Sequence, residues 1–301
     1  MLKILAAVAA TAVVVTGALF VVNAGRHGRA EALALPAAAD ELVIAKVAKL
    51  PAIDGKADDD AWKGAKELVV KVDQPEEDPP KRTVALKAVH DGTSICFLVV
   101  WADEDKNDQH SPFVWKDAGY EADDEKVEDA CTLGFELEGK FDSDMKAGIE
   151  SKWDVWEWGA ARTNPSGFAL DRTHVYSKTP PPPPQKGRRL TTRDQGQIIF
   201  THPIDEGTPC YKKIEIPEQK STPIVLQYPS QKPTGSAADV EAKGEWANGK
   251  WTVEFKRKLN TGHKDDTVFV VGKSYAFAVA TFNKSEKGDH DISKNLSMKI
   301  Q

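Results

Sequence analysis

Polar and apolar residues alternate along many short segments of the chain. In residues 251–256, for example, every second residue is apolar, whereas 95–101 and 275–282 are apolar on both parities almost without interruption. Period-two alternation is typical of strands with one buried face, and short apolar runs are typical of strands buried on both faces. The pattern therefore predicts an all-β protein, an antiparallel β-sandwich. Its predicted turns include Asp91-Gly92 and Asn248-Gly249.

The middle of the chain departs from this pattern in two places. Residues 154–162 are rich in tryptophan, and the sequence predicts one short helix or an irregular aromatic segment there. Residues 179–185 contain five consecutive prolines, which predict an extended polyproline loop outside any sheet interior. Because there is no internal repeat, we expect one domain over residues 42–301, with long loops and a few short helices. Long loops on a β scaffold frequently carry function.

The N-terminus carries a different signal. Residues 4–22 form an unbroken run of apolar and small residues after Lys3. A positive start followed by such a run is typical of an export signal, and its length also suits one membrane span of roughly 20 residues. Residues 1–24 are therefore predicted to be a cleaved signal peptide or an uncleaved anchor, and residues 25–41 a tether. Both alternatives place the remainder outside the cytoplasm, in the periplasm or an equivalent compartment.

The composition excludes several classes of protein. The 301 residues carry 40 Lys and Arg against 46 Asp and Glu, a net charge of −6. No basic face stands out, so nucleic acid is not an expected partner. The sequence has no GxSxG, HExxH, GxxxxGK(S/T) or GxGxxG motif, so no catalytic residue is predicted. The absence of CxxCH excludes covalent c-type haem.

Candidate metal sites are few. The seven histidines show no i, i+2 or i, i+4 pair, so a zinc site is not predicted. The acidic runs at 58–60, 103–105 and 123–125 offer the oxygen ligands that calcium prefers, but the simpler interpretation is solvated turns between strands. Three tryptophans occur within residues 153–158. They are expected either to build a corner of the core or to wall a flat ligand.

Several stretches resemble a known family. Residues 154–171, with the motif Asp-Val-Trp-Glu-Trp-Gly, and residues 235–242 and 249–266 are similar to the haem-b-binding domain of the gamma subunit of ethylbenzene dehydrogenase. The same domain occurs in subunits that partner dimethylsulfide dehydrogenase, selenate and chlorate reductases, and nitrite oxidoreductase. Residues 53–62 resemble the first strand of sandwiches of the carbohydrate-binding-module-9-like and DOMON-like type. The resemblance spans about residues 45–301, apart from the region 178–222.

The resemblance implies one non-covalent haem b with two axial protein ligands. One ligand in the family is a methionine just before the tryptophan motif, a position that corresponds to Met145. The second comes from the turn after the penultimate strand, where characterised subunits use a lysine and other relatives a histidine. His290 aligns with that position and is the expected ligand. The alternatives in the same turn are Lys284, Lys287 and Lys294.

The resemblance also suggests which residues surround the haem. Trp156 is expected in the haem pocket as part of an aromatic wall. Arg162 is expected there as a partner of the haem propionates, and Arg257 is the alternative for that role.

The implied function is electron transfer without catalysis. The chain would be a subunit of an exported molybdopterin oxidoreductase complex, most similar to the gamma subunit of nitrite/nitrate oxidoreductase. Its partners would be an iron-sulfur beta subunit, a molybdopterin alpha subunit and a c-type cytochrome. The alternative is an exported carbohydrate-binding module of the nine-like type, with exposed tryptophans and calcium at aspartate clusters. Met145 and His290 distinguish the two, because a sugar module requires neither.

Overall fold

The regular structure of the protein is almost entirely β. The computed structural model describes residues 41–73, 82–283 and 290–301, so the predicted signal, most of the tether, Lys284 and Lys287 lie outside the described residues. The predicted all-β class is confirmed. Within the described ranges, no helix is long and apolar enough to cross a membrane.

The elements are short and follow one another closely. The strands are β1 (Glu41–Lys46), β2 (Leu68–Val72), β3 (Arg82–His90), β4 (Ser94–Ala102), β5 (Phe113–Lys116), β6 (Gly119–Ala122), β7 (Ala130–Gly139), β8 (Ser151–Gly159), β9 (Leu170–Ser177), β10 (Arg188–Thr191), β11 (Gln197–Thr201), β12 (Gly207–Thr208), β13 (Ile224–Val225), β14 (Thr234–Gly235), β15 (Glu241–Ala247), β16 (Lys250–Lys258), β17 (Ser274–Phe282), β18 (Asp291–Ile292) and β19 (Leu296–Ile300). The helical elements are α1 (Asp60–Gly64) and the 3₁₀ turns Asn164–Ser166 and Ser236–Ala238.

Most of the strands form two sheets that share β1, while β13-β5-β6 and β12-β14 form two small separate sheets. Sheet I has the order β10-β11-β9-β8-β7-β17-β19-β1, and sheet II the order β1-β3-β4-β16-β15. Neighbouring strands are antiparallel except at β1, which runs parallel to both β19 and β3. The predicted antiparallel arrangement is therefore wrong at this strand. No hairpin joins β1 to either neighbour, so hairpin geometry does not fix its direction.

The core lies between the two sheets. Phe97 of β4 approaches Phe135 of β7 with ring centroids 5.4 Å apart, and Trp156 of β8 at 5.6 Å. These contacts join sheet II to sheet I directly. The apolar parity of 251–256 and of the last strand is buried as its alternation predicts. Aromatic pairs at such distances contribute about 0.5–1.5 kcal/mol beyond the area they bury.

The tryptophan-rich segment is a strand and neither a helix nor irregular, which corrects the prediction for residues 154–162. Residues Ser151–Gly159 form β8, which pairs with β7 on one side and β9 on the other. The alternation typical of a strand is not visible in the sequence of β8, because side chains are buried on both of its faces. Trp153 and Val155 are buried on one face, and Trp156 and Trp158 on the other. A strand without a solvent face shows no polar alternation.

Candidate functional site

A cavity of about 1170 Å³ lies against the face of sheet I that is turned away from the core. The strands β7, β8, β9 and β17 contribute to its lining with the residues whose parity is opposite to that of the core residues. Pockets for small molecules typically measure about 300–1,000 Å³. This cavity therefore has room for a ligand larger than an ordinary metabolite.

The floor of the cavity is made of small side chains. Gly134 and Thr132 of β7 are paired with Ala278 and Ala280 of β17, and all four line the cavity. A Cβ built on Gly134 would have its nearest heavy atoms at 3.7 Å, an ordinary contact distance. Sheet packing therefore does not require glycine there. Small residues on two adjacent strands leave the flat open floor that a planar ligand needs.

One wall of the cavity is aromatic. The ring of Trp153 lies 4.7 Å from that of Tyr176 between centroids, and Tyr176 lies 5.1 Å from Phe200. All three line the cavity. Alternation along β8 and β9 brings Trp153 and Tyr176 to this face, and β11 adds Phe200 beside them.

The two predicted iron ligands line this same cavity. Met145 lies in the loop between β7 and β8 and packs against the aromatic cluster that contains Trp153. His290 lies just before β18, and its ring is stacked on Phe282 at 4.9 Å between centroids. Lys294 is exposed and is not among the cavity-lining residues. The structure thus brings together a thioether and an imidazole that are far apart in sequence.

The predicted pocket residues are divided between the two faces of sheet I. Arg162 lines the cavity, as expected. Trp156 does not line it: the indole is fully buried between the sheets and donates its Nε1–H to Asp154 at 2.9 Å. Trp153, of the opposite parity, occupies the wall instead. Arg257 is also on the core side, where it is buried.

Arg162 belongs to a buried ion network at the cavity. Its Nη2 lies 3.1 Å from Oε1 of Glu157, and its Nε donates to Glu128. Nη1 of Arg172 lies 3.4 Å from Oε2 of Glu157. Burial raises the pKa of Glu157, but the positive charges of Arg172 and Arg162 outweigh it and bring the value to about 2. Glu157 is therefore ionised at neutral pH and holds two guanidinium groups in place.

Three groups of the cavity lining are buried and have no hydrogen-bond partner within the described part of the chain. They are the hydroxyl of Tyr176, the Nε–H of Arg172 and Nδ1 of His110. A buried donor without an acceptor costs about 1–3 kcal/mol. A ligand with carboxylate groups, such as the haem propionates, would accept hydrogen bonds from Tyr176 and Arg172. The donors, the aromatic wall and the Met145–His290 pair together fit haem b.

Three further histidines line the cavity and were not predicted from the sequence: His110, His174 and His202. Burial, and next the positive charge of Arg172, lower the pKa of His174 to about 3, and the same two causes lower the pKa of His202. Both rings are therefore neutral at ordinary pH. They are 28 residues apart in sequence, and only the pairing of β9 with β11 places their centroids 6.2 Å apart. No spacing rule applied to the sequence would have found them.

Comparisons with known proteins give one family and several distant structures. The sequence profile of a family described as ethylbenzene dehydrogenase matches residues 59–294. A search of curated protein sequences returned no match. A family 9 carbohydrate-binding module from Caldicellulosiruptor kristjanssonii in complex with cellotriose is 10% identical, with 87% of this chain and 94% of that chain covered and a TM-score of 0.41. A carbohydrate-binding protein from Bacteroides uniformis is 11% identical, with 87% and 99% covered and a TM-score of 0.42. At these scores neither structure carries an argument about function.

Proposed function

The chain belongs to the ethylbenzene dehydrogenase family, and from that premise we propose that it is a haem b electron-transfer subunit of an exported molybdopterin oxidoreductase complex. One observation carries this proposal. Met145 and His290, the residues that correspond to the ligand positions of the family, line one large cavity that has an aromatic wall and a floor of small residues. A carbohydrate-binding module does not require a methionine and a histidine in such an arrangement.

The chain's own residues would hold the group in three ways. Met145 and His290 would bind the iron. Trp153 and Phe200 would contact the macrocycle and exclude water, which lowers the local dielectric. Tyr176 and Arg172 would donate hydrogen bonds to its carboxylates. When bound, haem supplies a one-electron change of the iron between the ferric and ferrous states, and a thioether ligand raises the reduction potential.

Electron transfer without catalysis follows from the ligand set. If Met145 and His290 both bound the iron, they would leave it no open position for a substrate or for oxygen. We therefore propose that the chain catalyses no reaction itself. It would exchange electrons with an iron-sulfur beta subunit, which serves a molybdopterin alpha subunit, and with a c-type cytochrome.

The compartment and the specific relative are further parts of the proposal. The apolar N-terminal run supports export, either as a signal peptide or as an anchor. The tryptophan motif and the histidine at position 290 favour a subunit like that of nitrite/nitrate oxidoreductase over the lysine-ligated subunits. Redox titration of the assembled complex with nitrite as the reductant tests that choice.

The first test is the visible spectrum of the purified protein. We expect a Soret band, and alpha and beta bands that sharpen on reduction. Because CxxCH is absent, the haem is held without a covalent bond, and acidified organic solvent should extract it completely. A colourless protein that binds cello-oligosaccharides would support the carbohydrate-binding alternative. Pigment that stays on the polypeptide would exclude the non-covalent site.

A second prediction concerns the loop at residues 179–185. It lies between β9 and β10, as predicted outside any strand, and most of it is exposed. The extended conformation predicted for it is not kept throughout, because the backbone N–H of Gln185 donates to the carbonyl of Pro182 at 3.2 Å and closes a turn. We propose that the loop contacts a partner subunit, because a proline-rich segment is already restricted in conformation and loses little entropy on docking. Replacing the five prolines by serines keeps the length and should weaken subunit association at least about tenfold, with an unchanged haem spectrum. Co-elution of the intact complex at the wild-type dissociation constant would contradict the interface.

A further inference from the structure

Three aspartates meet on the core side of sheet I, opposite the cavity, and a fourth lies beside them. Asp154 of β8 and Asp171 of β9 are adjacent there, and Asp266 reaches them from the loop before β17. Their carboxylate oxygens lie within 4.8 Å of one another. Asp205 adjoins them, because its backbone N–H donates to the carbonyl of Asp171 at 3.2 Å. All four, hereafter the Asp cluster, are buried, with exposed fractions of 0%, 0%, 3% and 6% in the order in which they are introduced.

Arg257 neutralises only part of this charge. Its Nη1 donates to Asp154 Oδ2 at 2.5 Å and to Asp266 Oδ1 at 2.9 Å. Its Nη2 donates to the backbone carbonyl of Thr267. The guanidinium is therefore committed to two of the four carboxylates. One positive charge among four ionised carboxylates leaves a large excess of negative charge in a region without solvent, which is strongly unfavourable.

The two carboxylates that Arg257 does not reach have few hydrogen-bond donors. Neither oxygen of Asp171 has a partner among the described residues, nor has Oδ2 of Asp205. Oδ1 of Asp205 accepts from the hydroxyl of Thr173 at 2.9 Å. Buried polar atoms in native proteins almost always have a partner, which is an ion or a water where the protein supplies none. The unpartnered oxygens of Asp171 and Asp205 therefore point to a bound cation.

We propose that the Asp cluster binds one calcium ion, with Asp171 as its principal ligand. The donor set contains only oxygen atoms, which is the chemistry of hard cations, and it contains no imidazole or thiolate for a transition metal. A buried site that offers several carboxylates favours calcium over magnesium, because magnesium retains several of its waters. The two positive charges of a calcium ion would balance most of the negative charge that Arg257 leaves uncompensated.

The ion would have a structural role. Its ligands Asp154, Asp171 and Asp266 come from β8, from β9 and from the loop before β17, so one ion would crosslink three parts of the chain. Asp205, on the segment after β11, would add its negative charge beside them. The opposite faces of β8 and β9 carry Trp153 and Tyr176 of the cavity wall. The site is nevertheless separate from the haem proposal, because calcium can be measured in protein that contains no haem.

Metal content and thermal unfolding test the site directly. Protein purified without chelator and dialysed against metal-free buffer should retain about one calcium ion per chain by elemental analysis. Excess EGTA should lower Tm by at least about 5 °C, because a ligand that binds only the folded state stabilises it. Added calcium should restore Tm, and magnesium at the same concentration should not. Protein without calcium, and with a Tm indifferent to EGTA, would overturn the proposal.

A neutral, equally shaped side chain separates calcium from the competing explanation. Burial raises the pKa of Asp205 to about 8, so protons are the other means of neutralising the cluster. If calcium is bound, Asp171→Asn loses the ion and the response to EGTA, and its Tm falls below that of calcium-loaded wild type. If protons neutralise the cluster, Asp171→Asn is at least as stable as wild type, which overturns the proposal.

Two further variants complete the comparison. Asp58→Asn makes the same chemical change at an exposed carboxylate and should keep both the ion and the EGTA response. Asp205→Asn serves as the second variant of the site if Asp171→Asn does not fold. It should lower calcium affinity at least about tenfold, since loss of an interaction of about 1.4 kcal/mol has that effect. Unchanged calcium affinity in Asp205→Asn would overturn the assignment.

Discussion

Replacing His290 by alanine is expected to strip most of the haem from the purified protein. The imidazole is the stronger of the two proposed ligands, and even residues one shell further from a metal contribute about 10–100-fold to its binding. Haem retention, measured as the ratio of Soret to protein absorbance after gel filtration, should therefore fall at least about tenfold. The structure supports this choice because His290 lines the cavity and is held against Phe282.

The companion variant Met145→Ala should behave differently. The nitrogen ligand and the aromatic wall remain, so we expect the haem to stay bound. The long-wavelength sulfur-to-iron charge-transfer band should disappear, and the reduction potential should fall, because a thioether favours the ferrous state.

Two matched variants make the ligand assignment falsifiable. Lys294→Ala changes an exposed side chain of the same C-terminal region and should keep both the haem and the spectrum. His174→Ala removes a neutral imidazole that also lines the cavity. If His174→Ala loses the iron–nitrogen signature while His290→Ala keeps it, the second ligand is His174. If both histidine variants have wild-type spectra, the second ligand is to be assigned to the lysine at position 284 or 287.

The sequence predicted the sandwich because most strands have one apolar parity. Strand β8 is the exception: it carries tryptophans on both faces, one facing the core and one the cavity. Its parity could not be assigned without its neighbours, and for that reason Trp156 was predicted in the pocket although Trp153 occupies the wall. The direction of β1 was equally inaccessible, because it depends on two partners that are remote in sequence.

Family motifs and pairing geometry supplied different parts of the candidate site. Met145 and His290 were predicted because each has a fixed place relative to a family feature. Met145 precedes the tryptophan motif, and His290 lies in the turn after the penultimate strand. The floor at Gly134 and Ala278 has no such signal, since small residues in strands are common and only their register makes a floor. The Asp cluster is similar: Asp154, Asp205 and Asp266 are dispersed in the sequence, and no local spacing relates them.

The second large effect is expected from Glu157, the carboxylate that lies between Arg162 and Arg172 at the cavity. Glu157→Gln keeps the shape and removes the charge, which leaves two partly buried guanidinium groups with less compensation. The lowered pKa, about 2 against an ordinary value of 4.5, corresponds to roughly 3 kcal/mol of stability. The variant should lose that amount at pH 7, measured by urea denaturation of the haem-free protein.

The pH dependence of this loss has a definite sign. A carboxylate whose pKa is lower in the folded state stabilises the protein at pH values above its unfolded pKa. For Glu157 the contribution is complete above about pH 4.5 and disappears as the pH falls toward 2. The difference in the free energy of unfolding between wild type and Glu157→Gln should therefore be constant from pH 6 to 8. It should shrink steadily below pH 4.5.

An exposed ion pair between β7 and β8 provides the control. Glu138 and Lys152 lie 2.6 Å apart with side chains 68% and 45% exposed, and such pairs contribute about 0–1 kcal/mol. Glu138→Gln should therefore cost under about 1 kcal/mol at every pH. Equal losses in the two variants, or a Glu157→Gln loss that persists unchanged at pH 2, would show that the arginines do not depend on the charge of Glu157. The cavity edge would then be held by Glu128, the other carboxylate that accepts from Arg162.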